Sequence, residues 1–191
     1  MKQIFKLGLF IATLNFLTDC NGQTKTESNQ NEIKTDKNKL IGGGCDGCEL
    51  MYVGMPKVIS SEHTSNGWDE GKQKLILTGK VFQLDGRTPA SDVVIYYWHT
   101  DDSGLYSSND QTPKQAKEHG KLRGWVKSDK SGNYTIKTSR PDAYPNDNIP
   151  QHIHLSIKEP DIINEYYADL YFDDDPLYLK HKKKYGKLDR A

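Results

Sequence analysis

The 191-residue chain carries 26 basic and 26 acidic residues, so its formal net charge is +0. This balance excludes the broad basic field that binds nucleic acids through their phosphates, and we expect no nucleic-acid partner. Hydrophobic residues make up 35% of the chain, and its length allows one domain of ordinary size plus tails. The 11 tyrosines and 3 tryptophans supply further surface that a core can bury.

The N-terminal residues have the layout of a secretory signal. Two lysines precede an apolar run at 7–16, which is too short to span a bilayer stably. Residues 1–19 are therefore predicted to be a signal peptide, and the position of Cys20 resembles a bacterial lipoprotein signal, in which this cysteine is lipidated. Asp19 replaces the small residue usual at that point, so an ordinary signal peptide is the alternative. Both interpretations predict that the protein is exported. The lipoprotein signal also predicts that it is anchored to a membrane of the cell envelope, on the periplasmic or outer-membrane face.

The residues that follow predict a tether and then a folded domain. Residues 20–40 are mostly polar and contain no aromatic residue, which is typical of a flexible segment. The domain is predicted over residues 41–191. Near its start, the Cys45 and Cys48 pair indicates a disulfide, half a zinc site or a redox pair. No second cysteine pair exists for a zinc site, and export favours the disulfide.

Short segments with strand-like alternation, separated by turn signals, predict an all-β fold. Strands are predicted at 75–82, 93–99, 122–127, 134–138, 151–157 and 165–172. Six short strands favour an antiparallel β-sandwich with long loops. The stretch at 51–71 is predicted to be a loop or lid in which His63 is solvated. Helical turns are predicted at 112–119, and a helix is predicted from residue 176 onward.

The strand predicted at 151–157 carries two histidines on one face. Alternation points His152 and His154 to one side and Ile153 and Leu155 to the other, toward a core. Two imidazoles at i and i+2 on a rigid strand are a ready-made pair of metal ligands, each able to bind through one ring nitrogen. Two hydrogen-bonded histidines on a polar face are the alternative.

The strand predicted at 93–99 divides its aromatic residues between two faces. Tyr96 and Trp98 share one face, for which we expect core packing. Tyr97 and His99 share the other face. His99 is a candidate to line a pocket or to support a site from behind.

Two loop tyrosines, Tyr106 and Tyr144, complete a set with His152 and His154 that resembles the iron site of the intradiol ring-cleavage dioxygenases. This is the family of catechol and protocatechuate dioxygenases. The resemblance runs from about residue 75 to residue 176 and consists of many short pieces in the same order. They include Gly79-Lys80-Val81, Asp85-Gly86-Arg87-Thr88-Pro89, Gly104-Leu105-Tyr106, Leu122-Arg123-Gly124, Ser131-Gly132-Asn133-Tyr134, Ala143-Tyr144-Pro145 and Leu170-Tyr171-Phe172.

The resemblance implies that Tyr106, Tyr144, His152 and His154 are the protein ligands of one non-haem Fe(III). Phenolate oxygen is a hard ligand that suits this hard cation. The implied substrates are a catechol and O2, and the implied product is a muconate-type diacid, formed by cleavage between the hydroxyl-bearing carbons. By its motif position, Tyr144 is the ligand that the catechol displaces.

Charged and polar neighbours of the implied site form a second group of candidates. Arg123 is a candidate to hold substrate oxyanions. Ile149 stands three positions before His152, where ring-cleaving relatives typically carry an arginine that stabilises charge on the activated substrate. Gln151, Arg123 and Arg140 are the candidates to compensate for that missing charge.

Two other functions stay open at this point. The first is a non-catalytic β-sandwich module of the cell envelope that binds a catechol, an iron–catecholate or a surface partner, and the missing arginine keeps it open. The second is a copper or zinc site built from both histidines and one tyrosine, although a tyrosinate pair favours ferric iron. The sequence also leaves a homodimer open.

Overall fold

The structure, a computed structural model, describes residues 47–162 and 165–185. The seven strands are β1 (Glu62–Thr64), β2 (Lys74–Lys80), β3 (Val94–Trp98), β4 (Arg123–Lys127), β5 (Asn133–Ser139), β6 (His152–Lys158) and β7 (Tyr166–Tyr171). The helices are α1 (Gly67–Glu70), α2 (Pro176–Tyr185) and two 3-10 helices, Cys48–Tyr52 and Lys114–His119. The predicted signal peptide, Cys20, the tether and Cys45 lie outside the described residues and stay predictions.

The strands form two sheets that pack face to face. One sheet has the order β1-β5-β2 and the other β4-β3-β6-β7. Neighbouring strands are antiparallel, with the exception of the parallel β1–β5 pair. The predicted β-sandwich is confirmed, and all six predicted strands are present with boundaries within two residues of those predicted. The parallel pair was not predicted.

The main core lies between the two sheets. Ile95 and Tyr97 from β3, Ile153 and Leu155 from β6 and Ile136 from β5 form one buried cluster. The strict alternation on β6 explains this placement, because Ile153 and Leu155 alternate with the histidines and point to the opposite sheet. Burying one such aliphatic side chain stabilises the fold by roughly 1.5–3 kcal/mol.

A second cluster covers the outer face of the four-stranded sheet. Tyr96 and Trp98 pack there against Met51 of the first 3-10 helix. Trp98 pairs with His154 on one side and with Arg123 on the other, so these three side chains share one face. The packing role predicted for Tyr96 and Trp98 is therefore confirmed, but in this outer cluster, which adjoins the histidines.

The stretch at 51–71 differs from the loop that the sequence predicted, since it contains β1 and α1. His63 was predicted to be solvated, and this was wrong: its Nδ1 lies 2.7 Å from Tyr97 Oη, and burial lowers its pKa. A three-residue strand is too short for alternation to reveal it. The helical predictions at 112–119 and from 176 are confirmed. Among the described residues, no helix has the length and apolar character needed to cross a membrane.

Candidate metal centre

Four side chains direct their polar atoms to one point at the end of β6. Tyr106 Oη lies 2.6 Å from Tyr144 Oη and 2.8 Å from His154 Nε2. Tyr144 Oη lies 3.3 Å from His152 Nε2 and 3.4 Å from His154 Nε2. The two imidazole Nε2 atoms are 3.1 Å apart. The structure thus brings together all four residues that the sequence proposed as ligands.

The two tyrosines reach this point from separate loops that are tied to each other. Asp142 N donates to Asp101 O at 3.0 Å, and Thr100 Oγ1 donates to Asp142 O at 2.7 Å. Asp101 and Thr100 precede Tyr106 after β3, whereas Asp142 precedes Tyr144 before β6. These bonds fix the spacing between the loops, and the loops carry the phenols to the histidine strand.

Gly104 makes the close approach of these loops feasible. Its φ is +74°, which a residue without Cβ adopts at little cost. A Cβ built on Gly104 would lie 2.1 Å from the carbonyl oxygen of Ala143, beside Tyr144. The close contact with Ala143 O therefore explains why the Gly104-Leu105-Tyr106 motif begins with glycine in this chain.

Both histidines are oriented by acceptors on their outer side. His152 Nδ1 lies 2.7 Å from Pro150 O, and His154 Nδ1 lies 2.7 Å from Asp169 Oδ1. Tyr167 Oη also lies 2.6 Å from His154 Nδ1. An acceptor at Nδ1 places the ring proton there and leaves the Nε2 lone pair facing inward. Two such lone pairs facing each other at 3.1 Å repel unless a cation or a proton lies between them.

The donor set fits a ferric ion. An ion bound at about 2.0–2.1 Å holds neighbouring donors about 2.8–3.4 Å apart, and the measured separations of 2.6–3.4 Å are close to this range. Two phenols and two imidazoles suit Fe(III) better than Zn(II), which favours sulfur and nitrogen ligands. Among the described residues, no group of three or more His, Cys, Asp and Glu side chains is arranged to hold a metal ion, so the candidate site depends on its two tyrosines.

Burial shapes the acidity of the groups in and around the cluster. Burial and the hydrogen bond from Tyr144 raise the pKa of Tyr106, and burial also raises that of Tyr144. Without a cation both phenols therefore keep their protons, and a metal must displace them. Burial alone would raise the pKa of Asp169, but the bonds from His154 and Tyr167 outweigh it and lower that pKa. Asp169 thus stays anionic behind His154.

An open cleft of about 490 Å³ gives access to the cluster. Tyr144, His152 and His154 line it, whereas Tyr106 is absent from the described residues of its wall. The rest of the lining consists of Asp147, Asn148, Ile149, Pro150, Tyr167, Asp169, Tyr171 and His181. A ligand that enters the cleft therefore meets Tyr144 before Tyr106.

Comparison with known proteins identifies the family of this chain. A family model described as "Dioxygenase" matches residues 57–183. The chain is 30% identical over 95 residues to catechol 1,2-dioxygenase of Acinetobacter baylyi. The chain belongs to the intradiol ring-cleavage dioxygenase family. It is also 35% identical over 77 residues to chlorocatechol 1,2-dioxygenase of a Pseudomonas species.

The matched relatives are longer proteins than this family member. The two alignments cover 50% and 40% of this chain, but only 30% and 28% of the respective relatives. Among solved structures, catechol 1,2-dioxygenase from Pseudomonas arvilla C-1 is similar with a TM-score of 0.53 and 23% identity. That match covers 73% of this chain and 47% of the other, and it supports the sandwich fold.

Arg123 is not placed at the ligand cluster of this dioxygenase-family chain. Its Nη2 donates to Leu50 O at 3.1 Å and to Val53 O at 2.6 Å, and its guanidinium lies over the Tyr96 and Trp125 rings. It lines a different cavity from the cleft. The expectation that Arg123 holds substrate oxyanions is therefore wrong, because Trp98 stands between Arg123 and His154 in the ladder.

Gln151, Arg140 and His99 also point elsewhere. Gln151 Oε1 accepts from Arg140 Nε at 2.8 Å, and Arg140 forms a two-bond ion pair with Asp174. His99 is buried on the inter-sheet face, where Nδ1 donates to Thr100 O and Nε2 accepts from Thr138 Oγ1. None of these side chains lines the cleft among the described residues. The idea that Gln151 or Arg140 replaces the missing arginine therefore has no geometric support.

Cys48 is buried in the first 3-10 helix and is disulfide-bonded. Its partner lies outside the described residues, so the pairing with Cys45 stays a prediction.

The sequence analysis missed the residues that support the site from β7 and α2. Tyr167, Asp169 and Tyr171 alternate with apolar Ala168 and Leu170, which is a period-two signal for one polar strand face. That signal places Asp169 between two tyrosines on one face of the strand, but it does not show which residue of β6 lies beside Asp169. His181 had no signal, since only the packing of α2 against the cleft brings it there.

Proposed function

We propose that this chain is a non-haem Fe(III) dioxygenase that cleaves a catecholic ring between its two hydroxyl-bearing carbons. Both atoms of O2 enter the product, and the broken carbon–carbon bond leaves a muconate-type diacid. The observation that carries the proposal is the convergence of Tyr106, Tyr144, His152 and His154 at 2.6–3.4 Å. Ferric iron, when bound, supplies the Lewis-acid and redox chemistry that ring cleavage by O2 requires.

The two tyrosines have different roles in this proposal. Tyr106 is held by Tyr144 and His154 and does not line the cleft among the described residues, so it stays a ligand throughout. Tyr144 faces the cleft, where its oxygen is the one that an arriving catechol meets. Once displaced, the Tyr144 phenolate is a strong base that takes a proton from a catechol hydroxyl at Oη.

The electrostatics of the cleft favour an uncharged catechol as substrate. Asp147 and Asp169 line the cleft, and no lysine or arginine does among the described residues. A carboxylate on the ring, as in protocatechuate, would meet these acids without a cation to pair with. We therefore expect catechol to be a better substrate than protocatechuate.

The test measures iron binding first and the incorporation of O2 afterwards. Purified protein, reconstituted with iron, should hold about one Fe(III) per chain and absorb visible light through tyrosinate-to-iron charge transfer. Anaerobic addition of catechol should shift that band. Admission of 18O-labelled O2 should then give a ring-opened diacid with both labelled atoms, measured by mass spectrometry. Tyr144→Phe should keep part of the iron and slow this reaction.

Two outcomes would overturn the proposal. A catecholate spectrum that is stable in air, without oxygen uptake for catechol, protocatechuate or hydroxyquinol, would identify a binding module. A colourless protein that holds zinc after iron reconstitution would remove the ferric site.

The cellular location is a separate proposal that rests on Cys20. We propose that the protein is exported and held at a membrane by a lipid on this residue. Cys20→Ser should move the protein from the membrane fraction to the soluble fraction, because the lipid is linked through that sulfur. A mutant that fractionates like the parent protein would exclude Cys20 as the anchor.

A further inference from the structure

A second cavity, of about 220 Å³, lies beside the start of β4, away from the metal cluster. Its wall is formed by the segment after the first 3-10 helix, the chain before and after the second 3-10 helix, and β4. The lining residues are Val53, Gly54, Asn66, Asn109, Gln111, Thr112, Pro113, Gly120, Lys121, Arg123 and Trp125. Both charged residues in this wall are cationic.

Arg123 is a buried cation without a counter-ion. The residue is 9% exposed, and within the described part of the chain it forms no ion pair with a carboxylate. Nη2 donates to two backbone carbonyls, whereas Nε has no hydrogen-bond partner. Buried charges in proteins are usually paired, because burying an ion costs on the order of several kcal/mol of hydration free energy that only a partner can offset.

The neighbouring groups offer donors to a ligand. Asn109 Oδ1 already accepts from Gln111 N at 3.1 Å and from Thr112 Oγ1 at 2.9 Å, so its amide nitrogen is the group that remains for an acceptor. Lys121 is paired with Glu70 at 2.5 Å, and Glu70 is not part of the described wall. The net charge of the lining is therefore positive.

We propose that this cavity binds a small oxyanion, a carboxylate or a phosphate, through the Arg123 guanidinium. The guanidinium supplies the wall with a positive charge that no carboxylate offsets, and a charge-assisted hydrogen bond to an oxyanion is roughly twice as strong as a neutral one. The volume corresponds to about seven water molecules at about 30 Å³ each, which admits acetate, phosphate or a compact aromatic carboxylate. The site does not depend on the proposed ring cleavage.

The stacked rings of Trp98 and His119 separate this cavity from the metal centre. Their centroids are 4.1 Å apart, and Trp98 packs in turn on His154 at 4.9 Å. Neither Trp98 nor His119 lines either space among the described residues. An anion at Arg123 therefore should not exclude a catechol from the cleft.

The experiment titrates the full-length protein with inorganic phosphate, acetate and benzoate at constant ionic strength. Calorimetry and intrinsic tryptophan fluorescence report binding, since Trp125 is part of the wall, and tetramethylammonium chloride is the matched cation. We expect saturable binding of at least one anion and none of the cation. The anion that binds most tightly shows whether the natural ligand carries a carboxylate or a phosphate. Iron-loaded protein saturated with catechol should bind the anion with unchanged affinity.

Three variants decide the role of the residues. Arg123→Gln should weaken binding by at least about tenfold, since it removes the positive charge and the charge-assisted hydrogen bond. Lys121→Gln serves if Arg123→Gln does not fold, and should weaken binding roughly threefold because it removes the second cation of the wall. Lys127→Gln, on the same strand but outside the wall, should bind like the parent protein.

Several results would overturn the site. The first is that neither the carboxylates nor phosphate bind. The second is that Arg123→Gln or Lys121→Gln binds the anion with the affinity of the parent protein, or that Lys127→Gln loses as much affinity as they do. The third is that catechol displaces the anion. With any of them, Arg123 serves only to hold the first 3-10 helix on the sheet through Leu50 O and Val53 O.

Discussion

His154 and Asp169 lie directly opposite each other on β6 and β7, with His154 Nδ1 2.7 Å from Asp169 Oδ1. The Asp169 side chain is 3% exposed, so its charge acts on the imidazole with little screening. A carboxylate behind a ligand histidine fixes the ring and raises the basicity of its metal-binding nitrogen.

We therefore expect Asp169→Asn to lower the iron affinity by about 10-fold to 100-fold, because the amide can accept the hydrogen bond but carries no charge. Competition with a calibrated chelator measures this, with the charge-transfer band as the second readout. Asp147→Asn is the control, since Asp147 lines the same cleft without a hydrogen bond to His154 in the described structure. Equal affinities for the two variants would contradict the role of Asp169.

Gly104 gives a prediction about how the loops hold the tyrosines. In Gly104→Ala, the new Cβ would lie 2.1 Å from Ala143 O, so the loops of Tyr106 and Tyr144 must move apart. We expect loss of most bound iron and a decrease of roughly 1–3 kcal/mol in the free energy of unfolding. Iron content and urea unfolding measure the two effects.

Gly86→Ala is the matched control for this variant. Gly86 has a similar φ of +66°, but a Cβ there would meet nothing within 4 Å. It therefore shares the backbone strain without the steric clash. If both variants lose stability equally and both keep their iron, the Gly104 contact does not hold the loops.

The sequence predicted the strands and the four candidate ligands that converge in the structure, but it missed the residues that surround them. Alternation on β6 is local, so it correctly separated His152 and His154 from the core residues. The role of Asp169 depends on which residue of β7 faces His154, and register is set by pairing between distant segments. Arg123 was misplaced for the same reason, because its distance from the site follows from the position of Trp98 on the strand between them.

His99 predicts how the stability depends on pH. Burial holds its pKa at about 4, below the ordinary value of 6.5. Between these values the unfolded chain binds the proton and the folded chain does not, so stability is full above about pH 6.5 and falls as pH decreases toward 4. The loss from this residue is up to about 3 kcal/mol.

Urea unfolding at several pH values measures the slope of the unfolding free energy against pH. A substitution that lowers the stability equally at every pH leaves this slope unchanged. His99→Gln should reduce the slope between pH 6.5 and 4. His119, whose pKa burial and the Arg123 charge lower to about 4, should contribute separately, so His119→Gln should reduce it further. A slope that neither substitution changes would assign the acid sensitivity to other groups.

Ile149 occupies the position at which the resemblance to ring-cleaving dioxygenases implies an arginine. The residue is 38% exposed and lines the cleft with His152, and no arginine or lysine among the described residues lines that cleft. Arg140 is occupied by Asp174, and Arg123 lies beyond Trp98. In the described part of the chain, the cleft therefore offers no arginine or lysine to stabilise negative charge on the proposed catechol substrate.

We expect Ile149→Arg to raise the turnover number for catechol, while the iron content stays constant. One well-placed donor to a developing oxyanion raises kcat by about 100-fold. We expect a rise of roughly tenfold here, because the surrounding residues do not hold the new arginine in an optimised position. Oxygen uptake with a fixed amount of iron-loaded protein measures it. Ile149→Gln and Ile149→Leu are the controls, because they change polarity or shape without adding charge. If all three variants turn over catechol at the same rate, the missing charge does not limit the reaction at this position.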